Sequence, residues 1–102
     1  MPNEQQYDVL MIGHPDGLDH HDDNVDVEVV FGDGSRYGAT FFTLNNIERI
    51  MRTYVKTGEC LNGRYFWSTD LIIIRDLSMP DIRETVADLI KNAEFYTAFA
   101  KL

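Results

Sequence analysis

The sequence predicts an α+β fold: a two-layer sandwich in which a mostly antiparallel sheet of about four strands carries two main helices on one face, in the order β-ββ-α-β(β)-α. Three observations predict it. Residues 25–42 alternate apolar and polar side chains on either side of a glycine-containing turn, the period of a hairpin. Residues 44–55 and 82–90 repeat apolar side chains at three- and four-residue spacing, the period of an amphipathic helix. The strands come grouped instead of each being followed by a helix, which argues against a doubly wound parallel sheet.

The first strand is "YDVLMIG", residues 7–13, a short apolar run closed by Gly13. Residues 14–24 follow as a polar loop marked by Pro15, Gly17 and Asn24, long for a connection in a small domain. In "VDVEVVF", Val25, Val27, Val29 and Phe31 share one face; in "RYGATFF", Tyr37, Ala39 and Phe41 do the same. "GDGS" joins the two, with Asp33 and Gly34 expected at positive φ.

Thr43 is placed to cap the next helix, with Phe42 and Ile47 as a hydrophobic staple. Leu44, Ile47, Ile50, Met51, Tyr54 and Val55 form its apolar stripe, and Gly58 ends it. Residues 59–77 are expected to be β-rich, with turns at Asn62-Gly63 and Thr69-Asp70, and with Ile72–Ile74 buried on both faces of an internal strand. Ser78 caps the last main helix, Pro80 sits in its first turn, and Ile82, Val86, Leu89 and Ile90 face inward. Asn92 interrupts the pattern, and "AEFYTAFAKL" predicts a second short helix or a bent continuation. Its aromatics either close the core or offer a face for a homodimer.

A chain of 102 residues fits one domain, 1–102, and 44% hydrophobic content supports a core without staples. The single cysteine, Cys60, excludes an internal disulfide and a multi-cysteine zinc site; it reads as an inert thiol. No apolar run is long enough for a membrane span, and "MPNEQQYD" lacks the basic and apolar regions of a secretory signal, so cytoplasmic residence is expected. Residues 1–26 carry seven acids and no Lys or Arg, whereas residues 27–102 carry ten acids against nine bases. Nearly all of the net charge of −8 therefore sits in the first quarter. Such a field repels a phosphate backbone and attracts cations or a basic protein.

Two segments could carry a function. His14, Asp16, Asp19, His20, His21, Asp22 and Asp23 gather the nitrogen and oxygen ligands that a divalent metal such as zinc favours. No HExxH or other ligand spacing organises them, and the calcium-like run Asp22, Asn24, Asp26 has Val27 where that loop needs glycine. The candidate metal set is His14, Asp16, His20, His21 and Asp22; the default remains no cofactor. As an interaction surface, Asp19, Asp22 and Asp23 would steer a basic partner, and Arg64, Tyr65 and Trp67 supply the residue types that anchor interfaces. The bland alternative is a solvated loop and core aromatics. No glycine pattern cradles a phosphate, and no histidine neighbours Cys60 in sequence. The leading expectation is a non-enzymatic module that binds a basic protein, of the immunity or regulator type; the alternative is a metal-dependent enzyme or sensor built on residues 14–23.

Overall fold

The computed structural model describes residues 6–13 and 17–102. They form β1 (Tyr7–Ile12), β2 (Asn24–Phe31), β3 (Arg36–Phe42), α1 (Leu44–Thr57), α2 (Glu59–Gly63), β4 (Leu71–Ile73), α3 (Met79–Lys91), α4 (Phe95–Ala98) and β5 (Ala100–Lys101). The sheet runs β1-β2-β3-β4, and β5 pairs with β3 beside β4. All pairings are antiparallel except β3 with β4, so this is the α+β class that the sequence predicts, with a mostly antiparallel sheet. The sheet has five strands because Ala100 and Lys101 add a two-residue rung, too short to leave a periodic signal.

The hairpin register pairs Val27 with Ala39 and Val25 with Phe41, which places Val25, Val27, Val29, Phe31, Ala39 and Phe41 on one face, all buried. On that face lie Ile82 and Val86 of α3 and Phe95 of α4, with Leu77 and Phe99 from the flanking turns. The terminal aromatics therefore close the core: Phe95 stacks on Phe99 at 4.5 Å and meets Phe31 and Tyr37 edge-on, each at 5.5 Å. Ser78 caps α3 by accepting from the Asp81 N–H, and Asn92 ends it, as expected. Ala93 at φ 60° then turns the chain into α4.

The hairpin turn differs in one residue from its expectation. Gly34 is at φ 89°, but Asp33 is not at positive φ. The turn closes with Gly34 N–H on Phe31 O and Phe31 N–H on Ser35 O, a one-glycine turn with a bulge. Asp33 instead accepts from the Ser35 hydroxyl and N–H, which holds its carboxyl below the ordinary 3.8.

Residues 59–77 depart furthest from the β-rich expectation. Cys60, Leu61 and Asn62 take left-handed φ values of 49, 53 and 60°, and Gly63 follows at 82°. This reversed turn lays Gly63 against α1, where a Cβ would stand 2.4 Å from Met51 O; the Asn62-Gly63 signal reports a turn, but not a hairpin. Residues 64–68 are not a strand, and only Leu71–Ile73 pairs, parallel to Thr40–Phe42. Ile73 is 49% exposed, so the triple isoleucine lies at the sheet margin and is not internal. Apolar runs report burial only when another layer covers them, and here one face has no cover.

The α1 prediction holds for its ends and not for its stripe. Thr43 accepts from the Asn46 N–H, and Gly58 at φ 90° sends its N–H to Tyr54 O. Yet the one buried residue of α1 is Asn46; Ile47, Ile50, Met51 and Tyr54 are half-buried, and Leu44 and Val55 are exposed. The second layer is made by α3 and α4, and no α1 side chain joins the core.

Candidate functional site

The acidic loop is a folded clamp between elements, as far as its described part, Gly17–Asp23, goes. His14 and Asp16 lie outside the described residues. Asp19 accepts from the His21 N–H at 3.0 Å, and Asp23 accepts from the Asp19 and Asn24 N–H groups at 3.2 and 2.8 Å. These short aspartate turns hold the loop in one shape. Three anchors then fix it. Asp23 and Thr43 exchange backbone and hydroxyl bonds, the Leu77 N–H donates to His20 O at 2.9 Å, and Asn45 donates to His21 O at 3.1 Å. Asn24 donates to the Asn46 side-chain oxygen at 2.8 Å, which accounts for a buried asparagine on α1.

The charge is only partly neutralised by these contacts. Asp22 receives Arg49 Nε at 3.1 and 3.2 Å on its two oxygens, the one ion pair of the candidate aspartates among the described residues. Asp19 and Asp23 accept from backbone N–H groups, which stabilise an anion without cancelling it. Arg52 pairs with Glu48 on its own helix, and Arg64 is exposed. Asp19 and Asp23 thus have no cationic partner among the described residues.

His20 and His21 turn to a residue that sequence reasoning did not single out. Their Nδ1 atoms lie 3.8 and 3.9 Å from the two oxygens of Asp76, outside hydrogen-bond distance. Asp76 also accepts from the Ser78 N–H at 2.8 Å, fixing its carboxylate at the entry to α3. More than fifty positions separate it from the histidines, and no local pattern could have linked them. Among the described residues no three His, Cys, Asp or Glu side chains form a group able to hold a metal ion.

The aromatic segment divides by direction. Phe66 turns inward, its ring 5.1 Å from Phe42 and edge-on. Tyr65 and Trp67, on either side, remain 47% and 67% exposed. The acidic and aromatic segments rise from the same end of β3, because the consecutive residues Phe42 and Thr43 hold them: Phe42 packs on Phe66 and Thr43 bonds Asp23. At the far end of α1, burial pushes the Tyr54 hydroxyl above its ordinary 10.0, with Glu59 and Cys60 adding to the shift. No buried side-chain nitrogen or oxygen among the described residues lacks a partner, so none is held in reserve for a ligand. The described helices include none long and apolar enough to cross a membrane. No family model, no curated protein and no solved structure matches this chain.

Proposed function

We propose that this chain is a non-enzymatic, cytoplasmic protein-interaction module that receives a basic protein on its acidic and aromatic surface, in the manner of an immunity or regulatory protein. The observation that carries the reading is the exposed pair Tyr65 and Trp67, set on either side of an anchored Phe66. Ordering an aromatic loop before contact lowers the entropy cost of binding, and tryptophan and tyrosine contribute most to interface energy. The anionic loop at the same end of β3 adds long-range attraction for a cationic surface.

The test immobilises the wild type and two variants, Tyr65→Ala/Trp67→Ala and Asp19→Asn, and captures proteins at about 50 and about 300 mM salt, where screening lengths differ more than twofold. A basic protein should be retained by the wild type at low salt, weakened at high salt and lost with the aromatic variant. Retention indifferent to salt and to both variants would refute the reading.

A second reading keeps the divalent-metal alternative on residues 14–23, where the His20 and His21 imidazoles lie 3.8 and 3.9 Å from the Asp76 carboxylate, although no three His, Cys, Asp or Glu side chains among the described residues form a group able to hold a metal ion. Calorimetric zinc titration of the wild type and His20→Ala/His21→Ala decides it. Without variant-sensitive binding tighter than about 10 μM, roughly 7 kcal/mol, that reading fails.

A further inference from the structure

We infer that the free edge of β1 is a strand-addition site, on which an extended, lysine- or arginine-bearing segment of the basic partner pairs antiparallel with Tyr7–Ile12. The inference rests on the basic partner proposed above and gives it a second place of contact, apart from Tyr65 and Trp67. It begins with the direction of the backbone groups. Gly32 N–H donates to Gln6 O at 3.0 Å, and Gln6 stands opposite Gly32 in the register that pairs Tyr7 with Phe31. In an antiparallel ladder every second residue bonds the residue opposite. Asp8, Leu10 and Ile12 therefore bond β2, and the N–H and C=O groups of Tyr7, Val9 and Met11 point away from it. The other side of β2 agrees: Phe31 N–H bonds Ser35 O, so Phe31, Val29, Val27 and Val25 bond towards β3 and leave Val30, Glu28 and Asp26 to bond β1. Among the described residues no strand lies beyond β1.

This edge lacks the usual guards. Sheets ordinarily protect an open edge with a very short strand, a proline, a bulge or a lysine. The opposite side of this sheet follows that rule, ending in β4 and β5, of three and two residues. β1 has six residues, YDVLMI, with no proline or lysine, and its register with β2 runs without a bulge. Backbone groups in such a row bond water when nothing else is offered, and an added strand satisfies the row together.

Charge and side-chain direction select a basic strand. The one charged residue of β1 is Asp8, exposed on the open sheet face with Leu10 and Ile12, which are 40 and 39% exposed. In the next rows of that face Glu28 is paired with Arg36 and Asp26 accepts from the Thr40 hydroxyl, whereas no ion pair among the described residues joins Asp8 or Asp26. Residues 1–26 hold no Lys or Arg, so a second copy of β1 would set acid against acid. In an antiparallel addition, the incoming residues that bond Tyr7, Val9 and Met11 turn their side chains to the core face, beside half-buried Tyr7 and Met11. The residues between them turn to the open face, where a lysine stem covers Leu10 or Ile12 and its ammonium meets Asp8. The segment that fits therefore alternates apolar and basic residues. Leu102, which covers part of this face, lies over Gly38 on β3, two strands from the edge.

N-methylated peptides test this geometry with the protein unaltered. The probe is an end-capped hexapeptide alternating valine and lysine, titrated into nitrogen-15-labelled protein at low salt, with amide exchange as the readout. It should bind with a Kd of about 1 mM or tighter and slow exchange at Tyr7, Val9 and Met11 roughly tenfold or more. N-methylation of the valines, whose amides face β1, should weaken binding about tenfold or more, and N-methylation of the lysines, whose amides face away, should change it less than about twofold. Glutamate in place of lysine should also weaken it about tenfold, and Asp8→Asn in the protein about threefold. No binding, equal loss from both methylations, a glutamate peptide held as tightly, or a peptide-free dimer protecting the same amides would each overturn the inference. A basic protein captured through Tyr65 and Trp67, with no peptide bound at β1, would leave the proposed function standing and remove the edge site. A peptide bound at β1 of a chain that captures no basic protein would keep the edge site and remove that function.

Discussion

Phe66→Ala and Trp67→Ala change neighbouring residues, and their effects are expected to be opposite. Phe66 is half-buried and meets Phe42 edge-on at 5.1 Å, whereas Trp67 is 67% exposed. Removing a fully buried phenylalanine costs about 3–5 kcal/mol; with roughly half of that burial and one aromatic contact, Phe66→Ala should cost about 2 kcal/mol. In a domain of this size that is a fall of about 8–16 °C in Tm. Trp67→Ala should change stability by less than about 0.5 kcal/mol. Urea unfolding followed by circular dichroism measures both, since Trp67 is the one tryptophan and fluorescence would be lost with it. Binding should rank the other way, with Trp67→Ala losing on the order of 2 kcal/mol, about thirtyfold in Kd, at unchanged stability. If Trp67→Ala destabilised the fold by more than about 1.5 kcal/mol, tryptophan would be covered in solution and the docking surface would not exist.

Four further variants test local geometry. Gly63→Ala should destabilise the return from α1 by more than 2 kcal/mol, roughly, since a left-handed φ of 82° is combined with a Cβ 2.4 Å from Met51 O. Gly58→Ala, with φ 90° but nothing closer than 3.6 Å, should cost only about 1 kcal/mol in the same urea titration. Thr43→Ala removes an acceptor for both the Asn46 and Asp23 N–H groups and should cost about 1–2 kcal/mol, with faster amide exchange in the acidic loop as its second signature. Asp33 prefers its charged form in the folded state, so its contribution is complete above 3.8 and is lost as pH falls through its lowered folded value. The urea midpoints of wild type and Asp33→Ala should therefore differ at neutral pH and converge in acid; a gap that widened in acid would contradict the Ser35 contacts.

Local signals were legible where they closed within a few residues. The hairpin alternation, the Thr43 and Ser78 caps, the Gly58 stop and the Asn92 break all appear where periodicity and capping chemistry put them. The 59–77 segment was misread because isoleucine runs and aromatic triplets have strand propensity wherever they occur, and propensity yields to context. Cys60, Leu61 and Asn62 adopt a left-handed turn that only packing against α1 can hold, and no composition signals it. The candidate site shows the same division. The sequence gathered acids and histidines into residues 14–23, but not the anchors Thr43, Asn45, Arg49 and Asp76 that give the described part its shape.

By itself the chain determined its class, the presence of its hairpin, the ends of its two long helices and the concentration of negative charge in its first quarter, because each depends on neighbours a few positions away or on simple counting; the hairpin register was set by the bulged turn at Gly34. Tertiary structure alone decided which apolar stripe would be covered. Two helices of similar amphipathic pattern met different fates: α3 lies on the valine face with Ile82 and Val86 buried, and α1 extends from the end of β3 with its stripe half in solvent. Periodicity records that a side chain prefers to leave water. Whether it does depends on which surface reaches it, and that is settled by the path of the chain and by the contacts open to a second molecule.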